Sequence, residues 1–204
     1  MNYAYAIDKT PRELLSQFYE SYNLQDDGGY SDNKVKIELN KNIYFYLPNW
    51  DDRRKALLLH DIHHLITGYK SDFKGETEIS SWEIGSGCQH YWAAWILDSY
   101  GMTWGFWFNL PGIFKAFVRG RHSKNLYMDF LPADKALDMT VAQIQQALQL
   151  PSPEEKINVK KTDVFWFVTA LLTGGIFGVI SIAALPFLIL FNFYMFLTLR
   201  ITNS

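Results

Sequence analysis

The sequence predicts a mainly α-helical protein in which a soluble helical domain is followed by a membrane-inserted helical hairpin. Three observations support this fold class. Several segments between residues 10 and 150 combine helix start signals with apolar residues at helical spacing. No charged residue occurs from Val164 to Leu199, whereas residues 1–163 have the charge content of an ordinary soluble domain. No segment repeats with the period of about 20–50 residues that is typical of a solenoid.

Composition excludes several classes of protein. The chain has 204 residues, which suits one domain with an appended segment. Its 19 Lys and Arg residues against 21 Asp and Glu residues argue against a strongly basic nucleic-acid-binding protein, so we expect no nucleic-acid partner. The single cysteine, Cys88, excludes a disulfide framework and a cysteine-based zinc cage, and it is typical of a reducing compartment.

Capping residues and glycines delimit the predicted elements. The first helix begins at Thr10, which forms a capping box with Pro11 at the first helical position and Glu13. Residues 34–47 form either a short strand pair that turns at residues 40–42 or an extended segment. A clear helix begins at residue 49 or 51 and ends at Thr67, before Gly68. Further helices are expected over residues 76–100, 111–118 and 134–150.

The helix predicted to end at Thr67 carries a cluster of metal-binding residue types. At about 100° per residue, His60, Asp61 and His64 share one third of the helix surface. Two histidines four residues apart are the spacing by which one helix presents two nitrogens to one cation. Burying these groups among Leu and Ile without a partner would cost several kcal/mol. We therefore expect a metal site, with His63, which points about 60° to the other side, at the surface or behind the ligands.

A helix face cannot surround an ion, so a further ligand must come from another element. Glu76 is the candidate, because the loop over residues 69–75 is short enough to fold the next helix back against the first. Asp72 and Glu78 are alternatives for the same role. Two nitrogens and two carboxylate oxygens suit zinc, manganese or ferrous iron better than calcium or magnesium.

A polar stripe runs along the predicted helix 76–100 in steps of three and four residues. Its members are Glu76, Ser80, Glu83, Gly87, His90 and Ala94. In a functional interpretation, the stripe would form the floor of a cavity next to the metal, and Glu83 and His90 would be catalytic groups that transfer protons. As structure, its small residues permit close helix packing, and Glu83 pairs with His90 or Arg54. Both interpretations stay open, and Glu83 is the stronger catalytic candidate of the two.

The metal-binding segment resembles the signature of the coenzyme Q (ubiquinone) biosynthesis family known as "Coq four". The resemblance consists of His60-Asp61-x-x-His64, eleven further residues and Glu76, and extends through residues 65–69. A looser similarity covers roughly residues 10–151. It implies a mostly helical fold, a zinc-type ion held by His60, Asp61, His64 and Glu76, a polyprenylated ring as substrate, and membrane association. Members are regarded as organisers of the ubiquinone-synthesis complex and as the catalyst that replaces a ring carboxyl with hydroxyl.

The C-terminal segment is not typical of that family and is interpreted as a membrane anchor. We divide the chain into a metal-binding domain, residues 1–155, and an anchor, residues 156–204. One straight helix over the uncharged stretch would be about 54 Å long against about 30 Å of hydrocarbon. Two spans over about 164–182 and 186–199, turning near Ala183 to Pro186, fit better, and a single tilted helix is the alternative. The positive-inside rule then places the soluble domain on the cytoplasmic face, as in a bacterial inner-membrane protein.

These observations favour a membrane-anchored, metal-dependent component of ubiquinone or related prenyl-quinone biosynthesis, with zinc, iron or manganese as cofactor. A non-catalytic lipid-binding scaffold with a structural metal is the alternative from another class. A metallohydrolase is a third interpretation, since His60-Asp61-x-x-His64 mimics the zincin motif with a base one methylene shorter. Expected partners are membrane lipid, the prenylated ring, other quinone-biosynthesis proteins and a second copy of the chain.

Overall fold

The computed structural model describes residues 6–22, 34–40, 43–153 and 155–202. This part of the chain is mainly helical, as predicted. Its α-helices are α1 (Pro11–Ser21), α2 (Asp51–Thr67), α3 (Phe73–Ser86), α4 (Trp92–Phe108), α5 (Leu110–Arg121), α6 (Ala133–Asp138), α7 (Val141–Ala147) and α8 (Lys161–Thr202). Strands β1 (Lys34–Asn40) and β2 (Ile43–Pro48) pair antiparallel, which decides between the two interpretations of residues 34–47. Residues 41–42 of the predicted turn lie outside the described residues.

The ends of the first two helices confirm the signals in the sequence. The Thr10 hydroxyl accepts the backbone N–H of Glu13, and the Glu13 carboxylate accepts the backbone N–H of Thr10, so the predicted capping box begins α1. α2 ends at Gly68, which adopts the left-handed conformation with φ +79°. A helix terminates readily at such a residue because glycine has no Cβ to clash there.

The helix predicted over residues 76–100 is in fact two helices. α3 ends at Ser86, the chain turns through residues 87–91, and α4 continues to Phe108, beyond the predicted end. Gly87 has φ +92° and Gln89 has φ +47°, conformations that an α-helix does not contain. The helix predicted over residues 134–150 is likewise divided, because Thr140 caps α7 with its own capping box.

α3 lies between α4 and α5, and its packing against these two helices forms much of the protein interior. Trp82 and Ile79 of α3 are completely buried, as are Ile62 of α2 and Ile113 of α5. α1 packs against α2, so that Phe18 contacts the ring of His64. The last two turns of α2 are thereby enclosed by α1 and by α3, which determines the surroundings of the histidines.

The C-terminal segment differs from the predicted hairpin. α8 is one continuous helix from Lys161 to Thr202, and no turn forms near Ala183 to Pro186. A proline alone kinks a helix rather than reversing it, and this stretch has no glycine or asparagine that would take a left-handed turn conformation. Among the described residues, the segment Lys161–Ile180 is long and apolar enough to cross a membrane.

Candidate metal centre

Two histidines of α2 and one glutamate of α3 meet at the crossing of these helices. His60 Nε2 and His64 Nε2 lie 3.2 Å apart. The Glu76 carboxylate contacts both rings, with Oε2 3.4 Å from His60 Nε2 and Oε1 3.3 Å from His64 Nε2. The ligand atoms of the three side chains lie within 4.8 Å of one another, so the group could hold a metal ion.

Glu76, and neither of its two alternatives, approaches the histidines. Asp72 is the N-cap of α3 and accepts the backbone N–H of Gly75. Glu78 accepts a hydrogen bond from the amide of Asn109 on the other side of α3. Ser71, in the loop between the two helices, donates a hydrogen bond to Glu76 Oε1 at 2.6 Å and so holds the carboxylate in place. Of the three candidate carboxylates, Glu76 is therefore the one that lies beside both histidines.

The other nitrogen of each histidine already has an acceptor. His64 Nδ1 lies 2.9 Å from the carbonyl oxygen of Tyr69, and His60 Nδ1 lies 3.0 Å from Glu83 Oε2. A neutral imidazole that donates through Nδ1 carries its lone pair on Nε2. Two lone pairs then face each other at 3.2 Å, beside a carboxylate, and only a proton or a cation between them makes this arrangement favourable. Metal-binding histidines have this outer shell of acceptors.

The charges at the site favour a positive group between the rings. Burial alone would lower the pKa of His60, but Glu83 and Glu76 outweigh burial and raise that pKa well above its usual value. Burial opposes the ionisation of Glu76, yet its hydrogen bonds to His60 and His64 hold the pKa of Glu76 far below its ordinary range. A proton therefore competes with a metal ion for this position, and metal affinity should decrease as pH falls.

Glu83 is a completely buried carboxylate that holds three neighbours in place. It accepts hydrogen bonds from His60 Nδ1 at 3.0 Å, from His63 Nδ1 at 2.5 Å and from the hydroxyl of Tyr127 at 3.2 Å. His63 must donate through Nδ1, because its Nε2 accepts the backbone N–H of Leu126. These donors overcome the burial of Glu83 and hold its pKa well below the ordinary value. His63 was expected either at the surface or behind the predicted ligands. The structure shows it buried behind them.

Asp61, a predicted ligand, is not one of the three side chains whose ligand atoms meet. It is buried and accepts a hydrogen bond from the hydroxyl of Tyr19 on α1 at 3.0 Å. Burial raises the pKa of Asp61 to about 6. Asp61 follows His60 by one residue and so lies about 100° around α2 from it, where α1 packs. Of the four predicted ligands, the structure therefore brings together His60, His64 and Glu76.

A cavity of about 260 Å³ opens beside His60 and Glu76 and is lined by both polar and apolar residues. Ser80 and Ala94 line it, as the predicted stripe requires. His90 does not line it: it lies in the α3–α4 connection, is exposed, and pairs with Asp129 at 3.3 Å. Because α3 ends at Ser86, the helical spacing that would have aligned His90 with Glu83 is lost there.

Asp98 and Tyr127 are candidate functional residues that the sequence analysis missed. Both line the cavity, and Asp98 Oδ2 accepts a weak hydrogen bond from the thiol of Cys88 at 3.5 Å. Burial and the charge of Glu83 raise the pKa of Asp98 well above its ordinary value. Continuing the polar stripe by four residues from Ala94 would have identified Asp98. No periodic signal identifies Tyr127, which lies in a short 3-10 helix.

Comparisons with protein-family models, with curated proteins and with solved structures find no match for this chain.

Proposed function

We propose that this protein is a metal-dependent, membrane-anchored component of ubiquinone or related prenyl-quinone biosynthesis that acts on a prenylated hydroxybenzoate-type ring. One observation carries the metal-dependent part. The Nε2 atoms of His60 and His64 face each other at 3.2 Å beside Glu76, while both Nδ1 atoms are held by other acceptors. The ring and the pathway are supported by the resemblance of the motif to the "Coq four" family.

The donor set favours zinc with one coordination position left for a ligand. Structural zinc sites have four protein ligands, whereas catalytic sites have three and keep the fourth position open. Two imidazole nitrogens and one carboxylate, His60, His64 and Glu76, form a set of three. The cavity adjoins His60 and Glu76, so a ligand bound in the cavity could occupy the open coordination position. A purely structural metal would need no such position.

The residues around the cavity suit an aromatic carboxylic acid. A bound divalent cation supplies Lewis acidity, which lowers the pKa of a coordinated phenolic hydroxyl. Arg53 lines the cavity and can pair with a carboxylate. The carboxyl group of Asp98, when it carries a proton, can donate a hydrogen bond to the ring substituents, and Leu57 and Leu97 present apolar surface to the ring. Glu83 keeps the proton of His60 on Nδ1 and so orients the ring of that histidine.

The chemistry that this arrangement supports is the loss of the ring carboxyl group. The bond between the ring carbon and the carboxyl carbon breaks, carbon dioxide leaves, and a proton takes its place on the ring. With dioxygen and a reductant as co-substrates, a hydroxyl group takes that place instead. Asp98 lines the cavity and can supply the proton that replaces the carboxyl group when no hydroxyl group is added.

The proposal is tested in a strain that lacks the protein, by extracting and identifying its prenyl lipids. We expect a carboxylated prenyl-ring precursor to accumulate and the wild-type protein to remove it. The variant Glu76→Gln should fail to do so. Glu78→Gln is the matched control, because this residue lies on the same helix and its carboxylate contacts Asn109 instead of the histidines; it should act like the wild type. A general loss of the other pathway proteins without this precursor would indicate a scaffold, and unchanged quinones would contradict the proposal.

A further inference from the structure

The first half of α8 is packed against the helical domain. Gly174 lies so close to α4 that a Cβ there would be 2.9 Å from the Thr103 hydroxyl. The rings of Phe177 and Tyr100 are 5.8 Å apart, and Phe167 is buried against α5. Trp95, near the start of α4, lines a cleft with Trp166 and Ala170 of α8, whereas Gly174, farther along α8, lies against Ser99 and Thr103. The two helices therefore run parallel. Small residues that let two helices approach closely are typical of such packing.

At residues 178–180, α8 is open to its surroundings. Val179 and Ile180 are exposed, and no heavy atom lies within 4 Å of the Cβ position of Gly178. The helix continues to Thr202, and no charged residue occurs in it between Asp163 and Arg200. At 1.5 Å per residue, residues 179–199 extend about 31 Å, which matches the hydrocarbon thickness of about 30 Å.

An exposed aromatic cluster marks the end of the domain from which α8 emerges. Phe73, Trp104, Trp107 and Phe108 form this aromatic tip, and each is between 57% and 72% exposed. The Phe73 ring contacts that of Phe108, which joins the start of α3 to the end of α4. Thr103 lies against Gly174 and Tyr100 against Phe177, so Trp104 is level with residues between about 175 and 181 of α8. Aromatic residues with charged neighbours such as Lys74 are enriched at membrane surfaces.

We propose that residues 179–199 of α8 cross the lipid bilayer, that residues 161–178 stay docked on the domain outside it, and that the aromatic tip lies at the lipid surface. This inference rests on the membrane association in the proposed function and is independent of the metal chemistry.

The alternative register places Lys161–Ile180 in the hydrocarbon and is less favourable for two reasons. It would leave residues 181–199, an uncharged and almost entirely apolar stretch, outside the hydrocarbon. It would also draw the charged side chains next to Phe73, those of Asp72 and Lys74, toward the bilayer interior, where charges are costly. The half of α8 that can remain outside lipid is the half that α4 and α5 already cover on one side.

This register brings the cavity close to the lipid surface. Leu97, which lines the cavity and is 54% exposed, lies on the same face of α4 as Trp104. Seven residues separate them, so the lining of the cavity is about 10 Å from the aromatic tip along the helix. A lipid whose head enters the cavity can therefore keep its tail in contact with the bilayer.

Two matched cysteine substitutions test the register in membranes that are open on both sides. Leu172→Cys lies on the exposed face of the docked half, where Leu172 is 63% exposed, and Leu190→Cys lies near the centre of the proposed span. A membrane-impermeant maleimide labels only thiols that reach water. The wild type is the blank, because its single cysteine, Cys88, is completely buried. Labelling after denaturation in detergent gives the total thiol of each variant.

We expect Leu172→Cys to be labelled at least about five times more than Leu190→Cys, since water is excluded from the hydrocarbon. The reverse pattern would overturn the register and leave membrane association intact. Equal labelling of both positions, with the protein in the soluble fraction, would overturn membrane association as well.

Discussion

Replacing Glu83 with alanine is expected to lower the free energy of unfolding by about 3–5 kcal/mol, the cost of removing one partner from a buried ionic network. The carboxylate accepts hydrogen bonds from His60, His63 and Tyr127, and all of its side chain is buried. Without it, the Nδ1–H of His63 has no acceptor. His63 cannot exchange tautomers, because its Nε2 accepts the backbone N–H of Leu126. Thermal or denaturant unfolding in detergent, without added metal, measures the effect.

Glu78→Ala is the control for this prediction. Glu78 is on the same helix, and its contacts are an ion pair with Lys74 at 3.9 Å and a hydrogen bond from Asn109, together worth about 1–2 kcal/mol. Glu83→Gln gives a finer test, because its amide oxygen can serve His63 and Tyr127 while its NH₂ group faces His60. The ring of His60 would then carry its proton on Nε2 and lose the lone pair that faces His64. We expect metal affinity to fall about 10–100-fold, and a stability of Glu83→Ala equal to that of Glu78→Ala would contradict this description of the network.

Replacing His64 with alanine is expected to reduce the affinity for zinc by more than about 100-fold, because it removes a direct ligand, and even outer partners of ligands contribute 10–100-fold. His64 has its Nδ1 on the carbonyl of Tyr69 and its Nε2 3.2 Å from that of His60. Competition with a chromophoric chelator measures the affinity of the purified protein.

His90→Ala is the matched control, because His90 is exposed and pairs with Asp129 away from the cavity. Its affinity for zinc should stay within about twofold of the wild type, as expected for a surface pair. If His64→Ala binds zinc as tightly as His90→Ala does, the site is elsewhere.

Local patterns predicted those parts of the structure that depend on one segment of the chain. The face shared by His60 and His64 follows from the helical period alone, and Gly68 ends α2 where the sequence indicates. Glu76 could be identified because a short loop limits how far the next helix can lie from the first. Each of these inferences uses residues that are near one another in sequence.

Contacts between distant segments could not be predicted in the same way. Asp61 binds the hydroxyl of Tyr19 because α1 packs on that side of α2, which no spacing in the sequence reveals. Tyr127 reaches Glu83 across 44 residues of chain. The division of the helix 76–100 depends on Gly87 taking φ +92°, and a glycine within a periodic segment is equally compatible with an uninterrupted helix.

The continuity of α8 was missed for a different reason. The length of the uncharged stretch argued for two spans, on the assumption that all of it lies in lipid. The structure packs the first half of the helix against α4 and α5, so half of the apolar length has a protein neighbour. Apolar composition alone does not distinguish a helix surface that contacts lipid from one that contacts protein.

The central claim is that His60, His64 and Glu76 hold one divalent cation, and X-ray absorption spectroscopy of the zinc-loaded wild-type protein tests it most directly. The geometry predicts one zinc ion per chain with two imidazole nitrogens at about 2.0–2.1 Å, the usual zinc–nitrogen distance, and the remaining ligands oxygen. A spectrum with no imidazole scattering, with a sulfur ligand at about 2.3 Å, or with no zinc retained would contradict the claim.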